Sequence, residues 1–242
     1  TVKSRQQRTY HKGERIFDDV CLQGLHVIFA IDRSGLVGQD GETHQGIYDI
    51  SYLSHLPNMM VMAPKNRYEL LQMMDYAVKY NGPIAIKYSR GGAYKGLKEY
   101  NAPIVSGKSE IIYEGSSVAI LACGNMVEEA VKLVSLLRAD GINPTLVNVR
   151  FVSTVDIDML RHVVSNAGVI VTMEENISKG GYGEMVAAAI SDFCLYKDGR
   201  IKHVDASIHS EKVRQGSVEK LRQMLGIDAD SVYDKVKSAL EE

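Results

Sequence analysis

The chain has 242 residues, which is long enough for one large or two ordinary α/β domains. Its hydrophobic fraction of 45% and charged fraction of 24% are ordinary for a globular protein, and a net charge of -2 gives no electrostatic basis for binding nucleic acid or an anionic membrane. No apolar run approaches the roughly 18 residues of a membrane span and no apolar signal segment opens the chain, so we predict a cytoplasmic protein.

The first part of the chain combines a polar arm with an alternation of strand and helix. Residues 1–15 are basic, polar and aperiodic, which predicts a solvated or poorly ordered arm. Residues 16–92 then form a first α/β unit. Its predicted strands are LHVIFAID (25–32), MMVMAP (59–64) and GPIAIKYSR (82–90), and its clearest helix covers 66–80. A sheet this small with one clear helix would leave apolar area exposed, so a partner chain or a further domain is expected to cover it.

A polar stretch with glycine and proline at 93–109 is predicted to link this unit to a second one over 110–242. The second unit looks complete by itself. Its predicted strands are 117–124, 144–151, 169–175 and 201–207, and its predicted helices are 126–141, 155–168, 181–193, 217–226 and 228–242. The repeated alternation predicts two three-layer α/β units with mainly parallel sheets.

The segment GQDGETHQG (38–46) follows the first predicted strand and contains three glycines around Asp40 and His44. Ligands of open α/β sheets bind at the carboxyl ends of strands. An acid can orient an imidazole there, and an imidazole can move protons near neutral pH. The spacing alone leaves a solvated turn equally open, whereas the regular oxygen ligands of a calcium loop are absent.

Two arginines strengthen the functional interpretation of this edge. Arg33 ends the first strand and Arg90 ends the strand before a Gly-Gly pair, so both should lie at one edge of the same sheet. A guanidinium group matches the geometry of phosphate. The four side chains together predict a site for a small phosphorylated or carboxylated substrate.

The remaining polar motifs suggest structural roles. MEENISKGGYGE (173–184) fits neither a P-loop nor a dinucleotide fingerprint, so a structural turn with an interdomain contact is preferred over an anion site. Cys21, Cys123 and Cys194 form no CxxC pair, which predicts free thiols and neither a disulfide framework nor a metal site.

Several longer motifs together resemble a known family. They are FAIDRSGLVGQDGETHQGIYDISYL, GPIAIKYSRGG, VRFVSTVDIDML and VTMEENISKGGYG. The chain resembles the 1-deoxy-D-xylulose-5-phosphate synthases, a thiamine-diphosphate-dependent branch of the transketolase family, from about residue 16 to its end. The resemblance implies part of a pyrimidine-binding domain followed by a transketolase C-terminal domain. It also implies the joining of pyruvate to glyceraldehyde 3-phosphate with release of carbon dioxide, which supplies isoprenoid and thiamine biosynthesis.

The resemblance also implies roles for the four side chains. Arg33 and Arg90 match the arginines that hold the phosphate of the aldehyde substrate, Asp40 matches the acid that bonds substrate hydroxyls, and His44 matches the imidazole that helps to place protons. Thiamine diphosphate and magnesium are the cofactors of the complete enzyme.

The sequence departs from the family where the cofactor binds. The Gly-Asp-Gly…Asn motif that holds magnesium and diphosphate is absent, and no residue matches the glutamate that activates the aminopyrimidine. We therefore expect a fragment or split subunit that is inactive and without bound cofactor when alone, and that works as a homodimer or with a separate diphosphate-binding domain or chain. A transketolase-like or 2-oxoacid decarboxylase subunit and a non-catalytic interaction module remain alternatives.

Overall fold

The computed structural model describes residues 2–3, 15–38, 41–194, 201–210 and 212–241. These residues form one sheet of four strands and one of five, with helices packed against them. The predicted class, two α/β units with mainly parallel sheets, is confirmed. Within these ranges, no helix is both long enough and apolar enough to cross a membrane.

The first sheet is entirely parallel, with the strand order β1-β2-β4-β3. Its strands are β1 (Val2–Lys3), β2 (Ile28–Ile31), β3 (Met60–Met62) and β4 (Ile84–Lys87). Its helices are α1 (Asp49–Leu53) and α2 (Arg67–Lys79), preceded by a π-helical turn at Ile16–Cys21. Asn66 is the N-cap of α2, since its side chain accepts hydrogen bonds from two amides of the first turn.

The structure adds a strand inside the predicted arm. Val2 pairs with Phe29 and Lys3 with Ala30, so β1 lies at an edge of the first sheet. A two-residue strand is too short to produce a periodic pattern, which is why the sequence did not predict it. The rest of the arm, apart from Arg15, lies outside the described residues.

The second sheet has the strand order β5-β7-β6-β8-β9 and is parallel except for its first strand. Its strands are β5 (Glu110–Tyr113), β6 (Ser117–Ala122), β7 (Thr145–Asn148), β8 (Ala167–Ile177) and β9 (Lys202–Ile208). Its helices are α3 (Met126–Ala139), α4 (Ile157–Asn166), α5 (Tyr182–Cys194), α6 (Val218–Leu225) and α7 (Ala229–Glu241). The antiparallel edge strand β5, which directly follows the polar stretch, was missed.

The two units share a junction. Ala63 donates to the carbonyl of Arg150 at 2.8 Å, and an isolated antiparallel bridge joins Met62 to Phe151. Apolar side chains from both sheets pack in one buried cluster, including Phe29, Val61 and Ala85 from the first and Val147 and Ile170 from the second. The second unit therefore covers part of the apolar area of the first, for which a partner chain or a further domain was expected.

Candidate active site

The glycine-rich segment is a loop closed at its base. After β2, Arg33 adopts a left-handed conformation with φ of 60°, and Ser34 donates to the carbonyl of Tyr88 at 3.0 Å. Gly35 and Gly46 then exchange two backbone hydrogen bonds of 2.8 and 2.7 Å. The loop therefore leaves and re-enters at one point of the sheet edge, as expected for a segment that presents side chains from a rigid base.

Two of the loop glycines are required by close approach. Gly35 has φ of 78°, and a Cβ atom there would lie 2.2 Å from Oε2 of Glu175. Gly38 also has φ of 78°, and its Cβ would lie 2.9 Å from the carbonyl oxygen of Gly216. The glycines thus allow the loop of the first unit to touch the backbone and side chains of the second.

The second unit holds the loop through Glu175, the third residue of the segment MEENISKGGYGE (173–184). Oε2 of Glu175 accepts from the amide of Leu36 at 3.1 Å and from Nδ2 of Asn125 at 2.7 Å, while Oε1 accepts from Nε of Arg222 at 2.7 Å. Asn176 also accepts from the amide of Ile50 at 3.0 Å. The prediction that this motif makes an interdomain contact is confirmed.

The structure describes three of the four predicted site residues. His44 is half-buried at the end of a 3₁₀ turn (Glu42–His44), with Nδ1 2.9 Å from the hydroxyl of Thr43. Arg33 is half-buried after β2, and Arg90 is exposed after β4, the neighbouring strand in the sheet. Asp40 lies outside the described residues. A single hollow shared by all four side chains therefore stays a prediction.

A cavity of about 290 Å³ opens beside Arg90, between the two units. Arg90 lines it, whereas Arg33 and His44 do not. Its wall includes Ser34, Lys65, Asn66, Lys87, Arg90, Gly91 and Gly92 from the first unit, and Cys123, Asn125, Glu128, Glu175 and Arg222 from the second. Sequence reasoning missed Lys87, although a lysine that ends the apolar run IAIK was a signal for a buried cation at a strand terminus.

A buried carboxyl group lies close to Lys87. Glu174 is 1% exposed, and its two oxygens accept from the amides of Tyr182 and Gly183 at 3.0 and 2.8 Å. The predicted structural turn is confirmed, since Glu174 caps the start of α5. Burial raises the pKa of Glu174 to about 7; the two amides and the charge of Lys87 oppose that rise, and Asp205 adds to it.

Glu174 should make the protein less stable as pH rises. Its pKa is raised on folding, so its contribution is fully present below the ordinary carboxyl pKa of 4.5 and is lost as pH rises through about 7. Between pH 5 and pH 8, the free energy of unfolding of the wild type should fall by about 2 to 3 kcal/mol more than that of Glu174→Gln, which cannot ionise at this position. Urea unfolding at both pH values measures the difference. Glu219→Gln, at an exposed position, should show the same dependence of the free energy of unfolding on pH as the wild type. The same dependence in Glu174→Gln would contradict the assignment of this effect to Glu174.

Among the residues described, no group of three or more His, Cys, Asp and Glu side chains could hold a metal ion. The donors that line the cavity are instead mainly cationic or amide groups, which suit a small anion.

Both units match families of known proteins. Residues 13–94 match the pyrimidine-binding domain of transketolase, and residues 107–232 match the transketolase C-terminal domain. The chain therefore belongs to the transketolase family.

Within that family, the chain is similar to the 1-deoxy-D-xylulose-5-phosphate synthases. It is 44% identical over 230 residues to the synthase of Lachnoclostridium phytofermentans, an alignment that covers 95% of this chain and 36% of that protein. It is 42% identical over 234 residues to synthase 2 of Geobacter sulfurreducens, covering 96% of this chain and 36% of that protein. The chain thus spans about a third of the length of these curated relatives.

Solved structures agree with this fold. A split-gene transketolase, described as an inactive β4 tetramer, superposes with a TM-score of 0.86 at 25% identity, covering 99% of this chain and 75% of that one. The transketolase of Campylobacter jejuni superposes with a TM-score of 0.75 at 16% identity, covering 98% of this chain and 35% of that one, a likeness of fold alone.

Proposed function

We propose that this chain supplies the substrate-binding part of a 1-deoxy-D-xylulose-5-phosphate synthase. That enzyme joins pyruvate to glyceraldehyde 3-phosphate and releases carbon dioxide. The observation that carries the proposal is the closed loop Gly35–Gly46 at the edge of the first sheet, flanked by Arg33 and Arg90. The similarity to synthases over 95% of the chain supports the same reaction.

The roles of the side chains follow from their chemistry and position. Arg33 and Arg90 follow neighbouring parallel strands, and we propose that their two guanidinium groups bind the phosphate of the aldehyde at this edge of the sheet. His44 ends the 3₁₀ turn within the loop and would hold or move a proton at the reacting carbonyl oxygen. Asp40 is proposed as the acceptor for substrate hydroxyl groups.

The cofactor would be held mainly outside these residues. Thiamine diphosphate supplies the carbanion chemistry of the family, and its diphosphate and magnesium would be bound by a diphosphate-binding domain, in the same or a separate chain. We propose that the 242-residue chain is inactive alone and acts in such an assembly, either as a homodimer or with a second chain. The split-gene transketolase, with its fold covering 99% of this chain, supports an assembly of separate chains.

The test is reconstitution. The chain is assayed with pyruvate, glyceraldehyde 3-phosphate, magnesium and thiamine diphosphate, alone and mixed with the part of the Lachnoclostridium phytofermentans relative that it does not match. We expect 1-deoxyxylulose 5-phosphate to form only in the mixture. Turnover by the chain alone at the rate of the mixture would overturn the proposed inactivity. A mixture that instead transfers the ketol group of xylulose 5-phosphate would favour the transketolase-like alternative, and one that binds without turnover would favour an interaction module.

The arginine variants test the phosphate assignment in the active mixture. We expect Arg33→Ala and Arg90→Ala each to raise the KM for glyceraldehyde 3-phosphate by about 10-fold or more, because each removes a charge-assisted contact of about 1.5 to 3 kcal/mol. The KM for pyruvate should change much less. Arg161→Ala, at an exposed position on α4, is the matched control and should behave like the wild type. Equal changes in both KM values would argue against specific phosphate binding.

A further inference from the structure

The side chain of Gln45 interrupts the ladder that closes the loop. Gly35 and Gly46 exchange backbone hydrogen bonds of 2.8 and 2.7 Å, as a hydrogen-bonded antiparallel pair does. In such a ladder the next hydrogen-bonded pair would be Val37 with His44. The amide of Val37 donates instead to Oε1 of Gln45, at 2.8 Å. A side-chain oxygen therefore takes the place that the carbonyl of His44 would have in a continued ladder.

This exchange of acceptors releases His44 from the ladder. Its amide donates to the carbonyl of Gly41 at 3.2 Å, and His44 ends the 3₁₀ turn. A backbone paired with Val37 would be extended, so the turn could not form. The contact made by Gln45 thus determines where the loop opens and which backbone conformation carries the imidazole.

The same contact shortens the part of the loop that must be ordered. Gln45 is 8% exposed and Val37 is 5% exposed, so their hydrogen bond is shielded from water. Close by in the chain, the carbonyl of Gly38 accepts from the amide of Gly216 at 3.2 Å. Only residues 39–44 lie between the two anchors. A shorter segment loses less conformational entropy when its ends are fixed, which favours one defined conformation.

Stability alone does not explain a glutamine at this position. Nε2 of Gln45 is buried and has no hydrogen-bond partner among the described residues. A buried donor without an acceptor opposes folding, and an apolar side chain of the same size would avoid that cost. The observation favours a role that requires the amide group, namely its oxygen as the acceptor for Val37.

We propose that Gln45 is a positioning residue, whose side-chain oxygen holds the loop open at Val37 and so sets the position of His44 for the reaction. Gln45 does not line the cavity beside Arg90, and it acts through the loop instead of through the substrate. Its role in the reaction rests on the proposed function, whereas its effect on the conformation of the loop does not.

Amide hydrogen exchange and NMR spectroscopy of the whole chain test the contact without any need for activity. Gln45→Met removes the acceptor at nearly constant volume. It leaves the Val37 amide unpaired but also removes the unpaired Nε2, so we expect it to fold. The Val37 amide should then exchange at least about 10-fold faster. If the ladder extends instead, a nuclear Overhauser effect should join the backbones of Val37 and His44, which also supports the proposal. Wild-type exchange without that effect would overturn it.

Two further variants serve as controls. Gln45→Glu keeps an acceptor of the same length and should restore slow exchange at Val37. Gln23→Met makes the same chemical change at an exposed position and should match the wild type in every measurement.

Kinetics of the reconstituted assembly test the consequence for the reaction. Gln45→Met should lower kcat at least about 10-fold, because a small displacement of a group that moves protons is costly. The KM for glyceraldehyde 3-phosphate should change by less than about 3-fold, and Gln45→Glu should recover most of kcat. An unchanged kcat in Gln45→Met, or a kcat equally low in Gln45→Glu, would overturn the positioning role. If no mixture with the wild-type chain is active, the proposed function fails, and the exchange experiment still decides whether Gln45 holds the loop.

Discussion

Gly35→Ala is expected to destabilise the protein by about 2 to 5 kcal/mol. Two costs combine at this position. A left-handed conformation costs an alanine about 1 to 2 kcal/mol, and Gly35 has φ of 78°. The new Cβ would also lie 2.2 Å from Oε2 of Glu175, so Glu175 or the loop must move, which adds about 1 to 3 kcal/mol. Urea unfolding of the variant and the wild type measures the loss.

Gly41 provides a matched control for this prediction. Its φ is 79°, almost the same as that of Gly35, but a Cβ atom there would meet nothing within 4 Å. Gly41→Ala should therefore cost only a backbone term, of about 1 to 3 kcal/mol, because φ of 79° with ψ of -174° is a region that glycine adopts almost alone. Equal losses in the two variants would mean that the contact with Glu175 contributes nothing.

The same pair predicts an effect on function. Displacement of Glu175 by Gly35→Ala would break its 3.1 Å hydrogen bond to Leu36, which holds the loop near its base. In the reconstituted assembly, the activity should fall more in Gly35→Ala than in Gly41→Ala under conditions where both variants are folded. This comparison tests whether the second unit positions the loop of the first.

Local patterns predicted much of the fold. Apart from β5 and the five-residue α1, the order of strands and helices from β2 to α7 could be predicted, because buried parallel strands are continuous apolar runs and the helices have amphipathic spacing. The caps at Asn66 and Gly226 follow residue preferences that act within one turn. The strands β1 and β5 were not predicted: β1 has only two residues, and β5 directly follows the polar stretch.

The candidate site was predicted only in part for a similar reason. Arg33, His44 and Arg90 could be assigned to the carboxyl edge of the first sheet. Two of them follow a strand, and His44 lies in the loop after β2. The role of Gly35 depends on Glu175, which is 140 positions later in the chain, and the cavity beside Lys87 depends on packing between the two units. No spacing in the sequence records such contacts, so they require the folded chain.

Arg150→Met should destabilise the protein by about 3 to 5 kcal/mol. Arg150 is 2% exposed and lies 2.8 Å from both Glu69 and Glu110, at the junction of the two units. Lys65 is the other cation of this cluster. Without Arg150, two buried carboxyl groups share one cation, and removal of one partner from a buried ion pair typically costs this amount. Thermal and urea unfolding measure it.

The pH dependence distinguishes the lost charge from lost packing. Burial raises the pKa of Glu110, but its hydrogen bond from Lys65 and the charge of Arg150 outweigh burial and hold that pKa below its ordinary value. The stability from this group is therefore present above the ordinary carboxyl pKa and is lost as pH falls through the lowered one. In Arg150→Met, protonation of Glu110 relieves an unpaired charge, so the deficit should be larger at pH 8 than at pH 5.

Two further variants complete the argument. Lys237→Met breaks an ion pair with Asp140 in which both side chains are more than a third exposed, and its stability should match the wild type. Glu110→Gln, added to Arg150→Met, removes one of the uncompensated carboxylates, and it should recover about 1 to 3 kcal/mol as a coupling energy. Recovery, together with the pH-dependent deficit, would show that charge balance at the junction stabilises the contact between the two units. If Arg150→Met instead lowers the free energy of unfolding equally at both pH values, and Glu110→Gln recovers none of it, the role of Arg150 lies in packing and in its hydrogen bonds to the carbonyls of Ala102 and Pro103.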